Sequence, residues 1–404
     1  MAERYPGGVI SKTPPTITAP VAGEGGSASG MWTLDTVLEY EKAGAWPKPI
    51  LPRELYGWGR NDYRGPVGDN TTINRSSPVQ IGALTDWAKV SASDYVSSAI
   101  KLNGTLWAWG GNSDGQLGQN DTVTRSSPVQ IGALTNWSTI SASRTMLAVK
   151  TDGSLWSWGD GGSGKLGNNT TVDKSSPIQV GADTNWYFVS ASASHMAAIK
   201  TDGTLWAWGA NSSGQLGDNT VIVKSSPVQI GSLTNWAQIS TKNTQTLAVQ
   251  TNGTLWSWGL NYRGVLGLNL AVTTRRSSPV QVGGLTNWSQ VSSGVGHVLS
   301  IKTDGTLWAW GSNYNGEVGD NTAINKSSPV QIGSLSDWKQ VSGGLSVSTA
   351  IKTNGTLWAW GFNDNGRIGD NTTVSKSSPV QIGSLVNWLQ VSCGSVTPLA
   401  LTKG

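Results

Sequence analysis

The side chains that carry most enzymatic chemistry are scarce in this sequence. Among 404 residues there are 2 histidines, His195 and His297, and 1 cysteine, Cys393. A zinc site or a histidine-based general base needs several such groups converging, and a single thiol excludes an intrachain disulfide framework. Carboxylates are the remaining candidates. Asp152, Asp202 and Asp304 each precede a glycine, but Asn103, Asn252 and Asn354 hold the same place in equivalent segments. A position that accepts Asn as readily as Asp is a turn residue, not a general acid. The pairs Asp69-Asn70, Asp218-Asn219, Asp320-Asn321 and Asp370-Asn371 invite comparison with calcium loops. No bidentate glutamate follows at a fitting distance, and Leu268-Asn269 breaks the series. The expectation is loop hydrogen bonding, with no catalytic residue, metal or cofactor, and so no enzyme.

Binding chemistry is better supplied. One cation precedes each Ser-Ser-Pro: Arg75, Arg125, Lys174, Lys224, Arg276, Lys326 and Lys376. Placed by repetition, they would form a basic ring on one surface, either as solvated loop charges or as a contact for an anion or an acidic partner. Stronger candidates lie where one segment differs from its equivalents. After Trp-Gly the loops carry Tyr63 and Arg64, Tyr262 and Arg263, Tyr314, and Asp364; after Val/Ile-Ser they carry Tyr95, Arg144 and Lys242. Tyr and Arg are the usual anchors of recognition surfaces.

The elements that position these residues are set by tryptophan. There are 22 Trp and only 2 Phe. The second Trp of a Trp-x-Trp-Gly element recurs at Trp58, Trp109, Trp158, Trp208, Trp258, Trp310 and Trp360, at intervals of 49 to 52 residues. Tyr56, Trp107, Trp156, Trp206, Trp256, Trp308 and Trp358 precede them. A third series runs Trp87, Trp137, Trp186, Trp236, Trp288, Trp338 and Trp388. Only Trp32 and Trp46 lie outside seven copies of one unit.

Each unit reads as four short strands. In Ala197 to Gly209, Asp202-Gly203 predicts a two-residue type I′ hairpin turn. That register sets Thr201 opposite Thr204, Ile199 opposite Trp206 and Ala197 opposite Trp208. Ile199, Trp206 and Trp208 would then share one face, leaving alanine on the other. Pro227-Val228-Gln229-Ile230 and Trp236 to Ser240 supply two further strands. The expected fold is all-β: a seven-bladed propeller of four-stranded antiparallel blades. Leu399 to Gly404 corresponds to the strand before a hairpin turn and Arg53 to Gly59 to the strand after one. The two chain ends would therefore share a composite blade that closes the ring.

Lys200-Thr201-Asp202-Gly203-Thr204-Leu205-Trp206-Ala207-Trp208-Gly209, Asn211 to Gly217 and Ser226-Pro227-Val228 resemble the repeat of the regulator of chromosome condensation family. The same elements recur at Asn112 to Gly118, Asn313 to Gly319 and Asn363 to Gly369. The resemblance covers residues 53–404 and implies a seven-bladed propeller. Family members act as nucleotide-exchange factors, ultraviolet photoreceptors, enzyme inhibitors and adhesion modules, so it implies no single function. The exchange factor's inserted wedge has no counterpart in repeats this short, and the photoreceptor's Gly-Trp-Arg-His-Thr run is absent. The family's histidine before the hairpin is kept only at His195 and His297; Val96, Gln245, Val347 and Thr397 replace it.

Residues 1–52 form a separate arm that holds 7 of the 16 prolines. From Pro6 to Gly30 it is rich in Pro, Gly, Ser, Thr and Ala, which predicts extended chain. A short helix is predicted from Thr33 to Ala43, with Leu34, Val37, Leu38 and Glu41 on one face and Gly44 as its stop. Trp32 and Trp46 flank it. The helix would pack on its own propeller or anchor to a partner. Pro6 to Lys12, Ser27 to Asp35 and Ala43 to Pro47 resemble segments of tailed-bacteriophage virion and tail-fibre proteins. That resemblance implies a virion structural protein, part of a symmetric assembly, whose arm binds other virion proteins. Its propeller would bind a host-surface receptor or glycan, or a protein. Capsid decoration and a propeller-type protein binder or inhibitor are the alternatives. A net charge of +4 with 13% charged residues gives no footprint for nucleic acid. No apolar h-region or run of 18 apolar residues occurs, so neither a signal peptide nor membrane insertion is expected.

Overall fold

The computed structural model describes residues 51–404, apart from Tyr63 and Val272. The helix expected at Thr33 to Ala43, and with it Trp32, Leu34, Val37, Leu38 and Trp46, lies outside the described residues. The chain divides into two units at Pro52/Arg53. The second unit is a ring of seven four-stranded antiparallel sheets. In blades 1 to 6 the innermost strands are Trp87–Ala92, Trp137–Ser141, Trp186–Ala191, Trp236–Lys242, Trp288–Ser293 and Trp338–Gly343. The seventh blade is composite. From the axis outward it stacks Trp388–Cys393, Pro398–Thr402, Leu55–Gly59 and Arg75–Gln80. Leu55 pairs with Leu401 and Gly57 with Leu399, so the last strand closes the ring on the first.

The hairpin register differs from the sequence expectation by one residue. In blade 3, Ile199 pairs with Leu205, Ala198 with Trp206 and Met196 with Trp208. Lys200 N–H donates to Thr204 O at 3.0 Å and Gly203 N–H to Lys200 O at 2.9 Å. The loop therefore has three residues, with Gly203 at φ +77 as the left-handed bulge position. A one-residue slip exchanges the faces of a strand. Trp206, Trp208, Met196 and Ala198 face blade 2, while Ala197, Ile199, Leu205 and Ala207 face blade 4. Each hydrophobic cluster is thus a wedge between neighbouring blades, with the indoles of one set against the aliphatic face of the blade before it.

The three tryptophans of a repeat have different duties. Trp208 is fully buried, and its Nε1–H donates to Lys165 O in the preceding blade at 2.8 Å. Trp206 is half-buried, donates to Thr204 Oγ1 at 2.9 Å and stacks edge-on against Trp186 at 5.9 Å. Lys200 Nζ lies 4.1 Å and 4.7 Å from the centroids of Trp206 and Trp186, a cation–π cap over the pair. At the axis, a serine of each blade accepts an N–H from the next. Ser91 Oγ binds Ala142 N–H at 2.9 Å, and the series runs round until Ser392 Oγ binds Ala92 N–H at 2.9 Å. These bonds satisfy inner-edge donors that antiparallel pairing leaves over. Every outermost strand carries a proline, as Pro227 in Lys224–Gln229, which removes one N–H from an exposed sheet edge.

Candidate protein-interaction face

Alternating strand direction puts two sets of connections on one end of every blade. These are the links from innermost to second strand and from third to outermost strand. Arg64, Tyr262, Arg263, Tyr314 and Asp364 lie in the second set; Tyr95, Arg144 and Lys242 lie in or beside the first. They share one face, called here the loop face. Hairpin turns occupy the opposite face. Tyr63 lies outside the described residues.

The side chains on this face form local groups. Arg64 stacks on Tyr95, with Cζ 4.5 Å from the ring centroid. Arg263 lies between two tyrosines, 4.6 Å from the Tyr262 centroid and 4.5 Å from that of Tyr314, and its Nη1 donates to Ser312 Oγ at 3.2 Å. Tyr262 is 42% and Tyr314 59% exposed. Arg263 also holds a left-handed backbone at φ 58, a conformation that costs a non-glycine residue roughly 1–2 kcal/mol. Arg144 pairs with Asp114 at 3.3 Å and Asp364 with Arg367 at 3.1 Å. Lys242 and Tyr95, with Asp94, line a cavity of about 250 Å³ at the mouth of the central channel. Serine or glycine stands at the Lys242 position in the other repeats: Ser93, Ser143, Ser192, Gly294, Gly344 and Gly394.

Six of the seven cations before Ser-Ser-Pro open an outermost strand, as Lys224 opposite Gly209, and Arg276 is the second residue of its strand. Five are neutralised by an aspartate of their own loop. Arg75 pairs with Asp69 at 2.5 Å, Arg125 with Asp121 at 2.8 Å and Lys224 with Asp218 at 3.5 Å. Lys326 pairs with Asp320 at 2.8 Å and Lys376 with Asp370 at 3.3 Å. Among the described residues, Lys174 and Arg276 have no such acid. In this structure most of the set therefore pins loops.

The groups considered for catalysis have structural partners. Asp202 Oδ1 accepts Thr204 N–H at 2.9 Å and Thr204 Oγ1–H at 2.7 Å. The hydroxyl and amide of Thr204 hold that carboxyl below its usual range. Asn103 does the same for Thr105, which is why Asn substitutes freely. Asp218 accepts Thr220 N–H at 3.1 Å and Asn211 Nδ2–H at 3.0 Å. His195 is fully buried, and burial pushes its pKa down to about 4. Its Nε2 lies 2.7 Å from Thr246 Oγ1, whose proton goes to Gln215 O at 2.8 Å, so the neutral ring is the donor. His297 repeats the arrangement with Ser348 Oγ at 2.9 Å, and burial lowers it likewise to about 4. Cys393 is buried, which pushes its thiol up to about 12. No group of metal-ligating side chains is present among the described residues.

Arg367 was not legible as a site residue from sequence. The Arg367 side chain is 5% exposed, its Cζ lies 5.2 Å from the Phe362 centroid, and its Nε and Nη1 have no partner. Burial pulls the guanidinium down from its usual range, and the facing Arg60 adds to this. The available signal was positional: Pro66, Gln116, Lys165, Gln215, Val265 and Glu317 fill that place elsewhere.

Comparison with known proteins follows this geometry. The family model described as RCC1-like domain matches residues 146–404, well over half of the chain. The chain belongs to the RCC1-like domain family. The regulator of chromosome condensation (RCC1) repeat model matches residues 54–100 and 103–149. Among solved structures, human WBSCR16 is similar at 18% identity, covering 87% of this chain and 99% of its own, with a TM-score of 0.78. Prp20p from Saccharomyces cerevisiae, described with its binding properties to Gsp1p and histones, is similar at 20% identity. It covers 88% of this chain and 92% of its own, with a TM-score of 0.77. Yeast RCC1 (Prp20) bound to Kap60 gives 19% identity, 88% and 89% coverage and a TM-score of 0.76. These identities establish a shared fold. No curated protein matches.

Family membership overturns the virion reading. A tail-fibre or capsid protein, virion partners in a symmetric assembly, a host-surface receptor or glycan, and a virion location all rested on about 45 residues of the arm. Pro/Gly/Ser-rich text recurs for compositional reasons and carries little information about descent or partners. The family matches instead cover residues 54–100 and 103–404, nearly the whole propeller, and two of the similar structures are of yeast RCC1 (Prp20).

Proposed function

We propose that this RCC1-like propeller is a non-catalytic protein-interaction module whose loop face binds a folded protein partner. The Tyr262–Arg263–Tyr314 group carries the reading. Two exposed tyrosines grip one arginine on a strained backbone; blades 1, 2 and 3 have Ser113-Asp114, Gly162-Ser163 and Ser212-Ser213 at these positions, and another Tyr-Arg pair stands only in the composite blade, as Tyr63-Arg64. Strain kept at a surface loop points to a functional demand on that loop, and Tyr and Arg dominate binding energy at protein interfaces. Two similar structures support the class of ligand, since Prp20p binds Gsp1p and histones and is bound by Kap60. The buried, hydrogen-bonded state of His195 and His297 and the hydrogen bonds that occupy the exposed turn aspartates support a role without catalysis. The test is site-specific photo-crosslinking in cells that make the protein. A crosslinker at Tyr314 should capture a defined partner at least tenfold more strongly than one at Leu335 on the hairpin face. Replacing Arg263 by alanine should abolish that capture. Equal capture from both faces, or capture indifferent to Arg263, would refute the proposal.

A further inference from the structure

Away from the loop-face tyrosines, one place departs from the repeat in a way that leaves a charge unanswered. In blades 3, 5 and 6 and the composite blade, the residue after the glycine that contacts the buried indole is Asp218, Asp320, Asp370 or Asp69; blades 1 and 2 have Gln119 and Asn168. Blade 4 has Leu268. The register there is otherwise kept, with Arg276 opposite Gly259 just as Lys224 lies opposite Gly209. Leu268 packs on the core wedge between blades 4 and 5. The acid that would neutralise Arg276 has been replaced by an aliphatic side chain, and among the described residues Arg276 has no ion-pair partner.

This substitution opens a groove. A cavity of about 510 Å³ lies between the outermost strand of blade 4 and the face of blade 5. Leu268, Leu270 and Val280 form one wall, Trp288 and Trp308 contribute indoles, and Arg276 is the single charged residue in the lining. The volume is that of a ligand pocket. Its chemistry is apolar with one guanidinium and no carboxylate, so a complementary occupant brings an apolar side chain and an anion. The wall also includes an outermost strand whose outer edge pairs with no other strand, along which an extended peptide can lie.

We propose that this groove is a second binding site, taking a segment of a protein partner in which an aliphatic side chain is followed by a carboxylate: the apolar chain seats against Trp308 and Leu268, and the carboxylate pairs with Arg276. The site goes beyond the loop-face reading and does not depend on it. Loss of Tyr314 should leave it intact.

The experiment uses the full chain and three probes: acetyl-leucyl-glutamic acid amide, its glutaminyl counterpart, and octanoate as a free aliphatic acid. The indole N–H resonance of Trp308, assigned by its loss in Trp308→Phe, reports binding. The glutamyl peptide should shift it in a saturable way, with affinity at least tenfold higher than the glutaminyl peptide. Arg276→Gln should weaken the glutamyl peptide at least tenfold. Leu268→Asp restores the acid that four other repeats carry there; it should abolish binding while the melting temperature holds or rises. Tyr314→Ala should change nothing. Equal binding of the two peptides, or binding unchanged by both Arg276→Gln and Leu268→Asp, would overturn the site. Arg276-dependent binding of octanoate that is tighter than that of the peptide would assign the groove to a free acid and overturn the peptide.

Discussion

Trp208 and Trp258 occupy the same place in successive blades and are both fully buried, yet their indole nitrogens differ. Trp208 Nε1–H donates to Lys165 O at 2.8 Å. The carbonyl matching that one for Trp258 is Gln215 O; it accepts Thr246 Oγ1–H at 2.8 Å, and Trp258 Nε1 is unpartnered. Replacing each by phenylalanine removes the same ring atoms from nearly the same wedge, so the cavity and transfer costs largely cancel in the comparison. What remains is polar. Trp208→Phe orphans a buried carbonyl, at a cost of about 1–3 kcal/mol. Trp258→Phe removes a buried donor that had no acceptor, which recovers a similar amount. Trp208→Phe should therefore be the costlier change by about 2–6 kcal/mol. Urea unfolding followed by near- and far-ultraviolet circular dichroism measures the difference, and coincidence of the two probes tests whether a single transition applies. Equal destabilisation within about 0.5 kcal/mol would refute the claim that indole hydrogen bonding between blades contributes to stability beyond packing.

Gly203→Ala should cost about 2–5 kcal/mol, combining a left-handed backbone with overpacking. Its φ is +77 and a Cβ there would lie 2.1 Å from Thr234 O; a melting temperature within 1 °C of the parent (~0.5 kcal/mol or less) would contradict the close approach. Burial holds His195 and His297 at about 4 in the fold, below the unfolded value near 6.5. The unfolded state thus takes up protons first. Stability is fully present above about pH 6.5 and falls as pH drops toward 4, by about 1.4 kcal/mol per pH unit for each ring. Urea titrations at stepped pH should show this slope halved in His195→Gln, glutamine being the residue at Gln245; an unchanged slope would exclude the ring as its source. Arg367→Gln places at that site the residue found at Gln116 and Gln215 and removes two buried unpartnered nitrogens. It should leave stability unchanged or raise it by about 1–2 kcal/mol, and a loss above about 1 kcal/mol would mean the guanidinium has a stabilising role.

The architecture was legible because it is written seven times. Tryptophan spacing gave the blade count, and the half-repeats at Arg53 to Gly59 and Leu399 to Gly404 gave the closure. The hairpin register was missed because Thr-Asp-Gly encodes a three-residue bulged loop as readily as Asp-Gly encodes a two-residue turn, and only the glycine φ separates them. The slip moved Ile199 to the wrong face, so the wedge of indoles against the aliphatic face of the preceding blade was not seen. Departures from the repeat picked out Arg263, Tyr314 and Lys242. They did not show that Arg263 joins two tyrosines, since Tyr262 and Tyr314 lie in different repeats and meet only through ring geometry. The basic series was visible, but its neutralisation was not, because Asp218 and Lys224 are brought together by a loop conformation that spacing alone does not encode. The groove at Arg276 was visible in sequence only as a broken Asp-Asn series. Its meaning depended on knowing which cation had lost its acid.

The closing of the composite blade also dictates an order of events during synthesis. Leu55 is made early, but its partner Leu401 follows about 350 residues later. Joining ends so far apart costs about 3–4 kcal/mol more chain entropy than forming a hairpin within one repeat. Six blades can form from neighbouring segments as they leave the ribosome, whereas Trp58 and Leu55 must wait with their wedges half built. The growing chain therefore carries exposed indole and leucine surface until its last strand arrives. That interval is when the protein is most in need of a chaperone, and a stop codon before Pro398 would leave the ring open permanently.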